Sequence, residues 1–80
     1  MDSLALVEAI ADLEYDFRIT MPVGAARSYS RLGDLHEDLC QARRDLPRDE
    51  VWQRLTNHLL YVGVPRDRLR PETTFEELLG

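Results

Sequence analysis

Few side chains in this 80-residue chain are equipped for chemistry: one cysteine, Cys40, two histidines, His36 and His58, and a serine, Ser3, set between Asp2 and Leu4. Acid–base catalysis would have to be assembled from His36-Glu37-Asp38 and His58. His36 stands beside the Leu32/Leu35/Leu39 spacing and His58 beside Leu59, which reads as partly exposed structural histidines. The chain is therefore expected to be no enzyme. Cys40 has no second cysteine to pair with, and no Cys/His spacing makes a zinc site, so no metal is expected. Ser3 sits where a helical pattern begins. An oxygen side chain at Asp2 or Ser3 accepts a hydrogen bond from an unpaired first-turn amide, so its plainest role is to cap a helix.

That helix carries the strongest pattern in the chain. Leu6, Ile10, Leu13 and Phe17 recur at helical spacing and predict a buried stripe. Leu4, Val7 and Ala11 form a second, partly separate stripe, which is either extra core or a surface kept apolar for a partner. Residues 1–17 hold five acids and no base, whereas the remainder holds ten acids and ten arginines. The net charge of −5 thus belongs to this one segment. Concentrated negative charge around small apolar side chains suits basic proteins and repels nucleic acid and anionic lipid.

Eighty residues make one domain, spanning 1–80. No apolar run approaches the roughly twenty residues a membrane span needs, and the acidic start has the wrong sign for a secretory signal, so a cytoplasmic setting is expected. Thr20-Met21-Pro22 breaks the first helix, and Val23 to Tyr29 suggests a short helical turn. Ser30 reads as the next cap, with Leu32, Leu35 and Leu39 on a helix running to about Arg44. Residues 45–49 are a linker with Pro47 suited to a first turn. Val51, Leu55, Leu59 and Val62 make a third stripe, with Trp52 at its edge and Gly63 as the stop. The proline-punctuated stretch from Val64 to Thr74 needs anchors, for which Leu69 and Phe75 serve. Thr74 and Glu77 have capping-box spacing, giving one helical turn before Gly80. Arg66, Arg68 and Arg70 are interspersed with Asp67 and Glu72, which disfavours a nucleic-acid patch.

Asp2-Ser3-Leu4, Val7-Glu8, Ile10, Leu13-Glu14, Phe17 and Ile19 through Met21-Pro22 resemble the second helix of the acyl carrier protein family and the exit from it. Ser30-Arg31-Leu32-Gly33-Asp34-Leu35 is similar to the start of that family's fourth helix. Gly63-Val64, Leu69-Arg70-Pro71-Glu72-Thr73 and Phe75-Glu76-Glu77-Leu78-Leu79-Gly80 resemble the first loop, which in the family precedes the Asp-Ser-Leu helix. Joining end to beginning gives Leu79-Gly80-Met1-Asp2-Ser3-Leu4, the family's Leu-Gly-x-Asp-Ser-Leu run. The resemblance therefore implies an all-α, small four-helix bundle in circularly permuted order. Residues 1–44 resemble helices two to four, and 50–80 resemble helix one with its long loop. One departure is Ala5, where many members carry an acid.

Carried over by that resemblance, Ser3 is the attachment site of a covalent 4′-phosphopantetheine arm, and the chain shuttles thioester-linked acyl intermediates in fatty-acid, polyketide or related biosynthesis. A phosphopantetheinyl transferase would load the arm. Asp2, Leu4, Val7, Glu8, Ala11 and Glu14 would dock acyl-transferring and acyl-modifying enzymes with basic surfaces. Ile10, Leu13, Phe17, Leu55 and Leu59 would line the core. The bundle closes within one chain, as a monomer, or by exchange of the first-helix segment, as a domain-swapped dimer. The competing reading is a helical adaptor, a degenerate carrier fold that docks basic partners and carries nothing.

Overall fold

A computed structural model describes residues 2–21 and 28–79. Among them are four α-helices: α1 (Ser3–Phe17), α2 (Leu32–Ala42), α3 (Arg48–Tyr61) and a single-turn α4 (Phe75–Leu79), with a 3-10 turn at Arg66–Arg68 before α4. The described residues form no strand, only an isolated bridge between Arg31 and Thr74. The protein is all-α, a small helical bundle, as the periodicities predict. Met1, Gly80 and residues 23–27 of the turn expected from Val23 to Tyr29 lie outside the described residues, and so does any approach of Gly80 to Met1.

The core is one cluster. Leu6, Ala9, Leu13 and Phe17 of α1 meet Leu32, Leu35, Leu39 and Cys40 of α2 and Val51, Leu55 and Leu59 of α3, with Val64, Phe75 and Leu78 closing it. Helix α3 packs against both α1 and α2 of the same chain. Ile10, expected in the stripe, is half-buried, and Ala9 on the opposite flank is buried in full. Spacing of large side chains passes over an alanine, although a small residue suits a close approach of packed elements.

Two helices stop in the same way. Past α3, Gly63 takes φ 100°, its amide donates to Leu60 O and the Val64 amide to Leu59 O, both at 3.0 Å. These are the paired bonds of a Schellman stop, and Val64 folds inward at 3 % exposure. Past α1 the left-handed residue is Arg18, at φ 55°, with the Ile19 amide reaching Glu14 O at 3.0 Å. An arginine holds a backbone shape that glycine adopts without steric cost.

Helix α2 starts without the side-chain cap expected of Ser30. The amides of Leu32 and Gly33 donate instead to Thr73 O and Pro71 O, each at 2.8 Å. The 71–73 stretch therefore satisfies with carbonyls the orphan donors that a side chain would otherwise take. Ser30 contributes its own carbonyl to the Phe75 amide at 3.1 Å. Asp34 reaches back to accept from the Ser30 and Arg31 amides, both at 3.0 Å. The helix ends at Ala42, short of Arg44. Arg43 leaves helical geometry while its guanidinium donates to Phe17 O and to the Asp45 carboxylate.

In the linker, Pro47 precedes the first residue of α3 and does not occupy it. Leu69 is half-buried against the core and Phe75 buried, so both anchors of the long loop are in place. The Thr74–Glu77 box forms as well: the Glu77 amide donates to Thr74 Oγ1 at 3.2 Å and the Thr74 amide to Glu77 Oε1 at 3.4 Å. No helix among the described residues is long and apolar enough to cross a membrane.

Candidate functional site

Asp2, not Ser3, caps α1: Asp2 Oδ1 accepts from the Ala5 amide at 2.7 Å. That leaves Ser3 as the first helical residue, exposed and without a capping duty. By helix geometry the Ser3 and Leu4 amides have no intrahelical acceptor. The positive end of the helix dipole is therefore presented beside the exposed Ser3 hydroxyl, which has no hydrogen-bond partner among the described residues.

From this end an apolar strip runs along the outside of α1. Leu4 is 67 % and Val7 59 % exposed, Ala11 is exposed, and Tyr15, one turn further, is 88 % exposed. At 3.6 residues per turn these four positions fall on the face opposite Leu6, Leu13 and Phe17. The strip cannot serve the core. Of the two readings the sequence allows for Leu4, Val7 and Ala11, extra core is excluded and an outward apolar surface is what remains.

Acids flank the strip unequally. Glu8 and Asp12 are exposed on one side. Glu14 is drawn inward, and its Oε2 accepts from the Met21 amide at 3.0 Å, so this residue of the expected docking face pins the chain leaving α1. Asp2, Ser3, Leu4, Val7, Glu8 and Ala11 share the exposed surface of α1.

The opposite end of α1 is clamped. Arg54 of α3 donates through Nη2 to Asp16 Oδ1 at 2.8 Å and to Asp16 O at 3.0 Å, and through Nε to Asp16 Oδ2 at 3.2 Å. Its guanidinium lies 4.4 Å from the centre of the Phe17 ring. His58 Nε2 donates to Asp16 Oδ2 at 3.1 Å, and Glu50 accepts from Arg54 at 3.3 Å. The Arg54 hydrogen bond holds the Asp16 carboxyl below its ordinary range, against partial burial and with help from His58. Nothing in local spacing announces this cluster, because its members lie on two helices far apart in sequence.

The other histidine is also structural. His36 Nε2 donates to Arg48 O at 3.1 Å, lies 3.4 Å from Cys40 Sγ and meets Trp52 edge-on with ring centres 5.2 Å apart. Burial pushes the Cys40 thiol up, away from the thiolate a nucleophile requires. Among the described residues no group of His, Cys, Asp or Glu is placed to hold a metal ion.

No protein-family model, curated protein or solved structure matches this chain.

Proposed function

We propose that the chain is an acyl carrier protein in circularly permuted order, with Ser3 bearing a covalent 4′-phosphopantetheine arm. The observation that carries the reading is the placement of Ser3: an exposed hydroxyl in the first turn of a helix capped by its neighbour, at the head of an exposed Leu4–Val7–Ala11 strip. Two features support a fit to the arm. The serine is relieved of capping by Asp2, and first-turn amides at the positive dipole end favour an attached phosphodiester.

In this reading the Ser3 hydroxyl attacks the pyrophosphate of coenzyme A on a phosphopantetheinyl transferase. A Ser3 Oγ–phosphorus bond forms, the bond to the departing adenosine bisphosphate breaks, and the hydroxyl proton passes to a base of the transferase. The arm's thiol holds the acyl group as a thioester. The chain's own residues present and steer: Leu4, Val7 and Ala11 offer apolar contact, while Asp2 and Glu8 attract basic enzymes. The chain is a substrate and partner of enzymes in fatty-acid, polyketide or related biosynthesis and works in the cytoplasm. The segment order draws support from the packing of α3 against both α1 and α2 and from the hydrogen bonds that join residues 71–73 to the start of α2.

The test is intact mass after incubation with coenzyme A, magnesium and a broad-specificity transferase, with Ser3→Ala alongside. The expected result is a gain of one phosphopantetheine that the variant lacks. No gain from a protein that is folded and helical leaves the adaptor reading, in which the same strip docks a basic partner and Ser3→Ala changes nothing.

A further inference from the structure

The outer flank of α3 and the chain that returns along it enclose an open hollow of about 480 Å³. Trp52, Gln53, Thr56, Asn57 and Leu60 supply the helix side, and at 3.6 residues per turn they fall on a flank turned away from Val51, Leu55 and Leu59. The Gly63 stop sends the chain back past them. A 3-10 turn follows, closed by the Arg68 amide on Pro65 O at 3.1 Å and the Leu69 amide on Arg66 O at 3.0 Å, and it sets Arg66 and Leu69 on the other side. Trp52 and Leu69 are half-buried against the core, and the Trp52 ring meets His36 edge-on, so these two apolar walls are held from behind.

The hollow is one-sided in charge. Arg66 is the only formally charged residue among those lining it. Arg43, Arg48 and Arg54 each pair with a carboxylate, and Arg68 and Arg70 donate to the carbonyls of Glu77 and Asp67. The Arg66 guanidinium is exposed and makes no hydrogen bond or ion pair among the described residues, neighbouring Asp67 included. The side-chain amides of Gln53 and Asn57 are likewise exposed and unpartnered among them, whereas Thr56 donates its hydroxyl proton to Gln53 O at 3.1 Å. Asp12 and Asp16 line a neighbouring hollow that shares only Asn57 with this one. One cation and two amide donors thus stand over apolar walls without an acceptor.

We infer that this hollow receives an acidic side chain of a partner protein, its carboxylate paired with Arg66 and hydrogen-bonded by Gln53 or Asn57, with an adjoining apolar side chain against Trp52, Leu60 and Leu69. A guanidinium matches a carboxylate in shape as well as in charge, and Trp and Arg are the residue types that anchor protein interfaces. A nucleic acid or an anionic membrane calls for several cations in register, and the hollow offers one, on a chain of net charge −5. The surface lies on α3 and the loop after it, not on the acidic first helix, and it selects a partner group of the opposite sign. It does not rest on the carrier reading.

Trp52 is the chain's one tryptophan, so its fluorescence reports on this hollow directly. The probe is a set of synthetic peptides with a single glutamate between leucines or phenylalanines, titrated to millimolar concentration; the control peptides carry glutamine in its place. The expected result is a saturable change in Trp52 emission, with shifts of the Gln53, Asn57 and Arg66 amides of isotope-labelled protein, at lower concentration of the glutamate peptides than of the controls. Arg66→Gln weakens glutamate-peptide binding about fivefold and removes the preference over glutamine. Asp12→Asn and Ser3→Ala leave it unchanged. Arg66 is exposed, and an unchanged melting temperature of the variant excludes misfolding as the cause. Equal binding of the glutamine peptides, wild-type binding by Arg66→Gln, no response to any glutamate peptide, or tighter binding of an oligonucleotide or of anionic vesicles would overturn the inference. A failure of Ser3 to accept phosphopantetheine would not touch it.

Discussion

The two ends of α1 are built to opposite specifications. At the Phe17 end the helix is tied from three directions: Arg54 holds the Asp16 side chain and carbonyl, Arg43 donates to the Phe17 carbonyl, and Glu14 holds the Met21 amide. At the Ser3 end the described contacts reduce to the Asp2 cap, and the side chains of Leu4 and Val7 face outward. The tertiary tethers of α1 are therefore concentrated at its C-terminal end, while its apolar outer strip runs from Leu4 to Tyr15 and its core face from Leu6 to Phe17.

The sharpest way to break this contrast is to truncate comparable apolar side chains at each end. Phe17→Ala is expected to cost about 3–5 kcal/mol of unfolding free energy, since the ring is wholly buried. Leu4→Ala is expected to stay within about 0.5 kcal/mol. Denaturant titration of both variants checks the pair, and a large cost at Leu4 would mean that the outward strip is packed in solution.

Removing the clamp comes next. Arg54→Met should cost about 1–2 kcal/mol near neutral pH, a charged hydrogen-bonded pair discounted for its partial exposure. The pH dependence has a definite sign. Asp16 titrates below its ordinary 3.8 in the folded protein, so its contribution is fully present above that value and is lost as pH falls through the lowered one. Asp45, pushed down to about 2 by Arg43, follows the same direction. Melting temperature should fall from pH 4 toward pH 2, and less steeply in Arg54→Met. An unaltered slope would remove the clamp from the account.

At the presenting end, Asp2→Ala deletes the side-chain cap, with an expected loss of about 1 kcal/mol. Amide exchange should rise in the first turn of α1 while the Phe17 end stays protected. The last effect has the opposite sign. Arg18→Gly relieves a left-handed residue and should stabilise the protein by about 0.5–1 kcal/mol in the same titration. Destabilisation would show that the Arg18 side chain contributes more than its backbone geometry costs.

How much of this was legible in the sequence depended on whether the cause was local. Leu6, Leu13 and Phe17, Val51, Leu55 and Leu59, the Gly63 stop and the Thr74–Glu77 box all rest on spacings within one element. Each is present in the structure. The end of α1 was harder to read because its left-handed residue is an arginine, where a glycine would have signalled it. The start of α2 was misassigned to Ser30 because its donors are satisfied by carbonyls from a remote segment. At the candidate site, spacing left the Leu4–Val7–Ala11 strip as either extra core or outward surface, and only the packed helix decides for the surface. The inward turn of Glu14 and the pairing of Asp16 with Arg54 required the two helices to be brought together.

The carbonyls that start α2 also bear on how the chain assembles. A Cβ at Gly33 would sit 3.0 Å from Pro71 O, so this crossing admits no ordinary side chain without moving one backbone or the other. Leu32 and Gly33 find their acceptors only when residues near the far end of the sequence have arrived. Until residues 71–73 arrive, those two amides are left to water, as the first amides of any helix are. Long-range closure of this kind slows folding relative to a bundle of purely local contacts. It also ties early and late segments into one cooperative transition, so that loosening the 71–73 stretch would be felt at the head of α2.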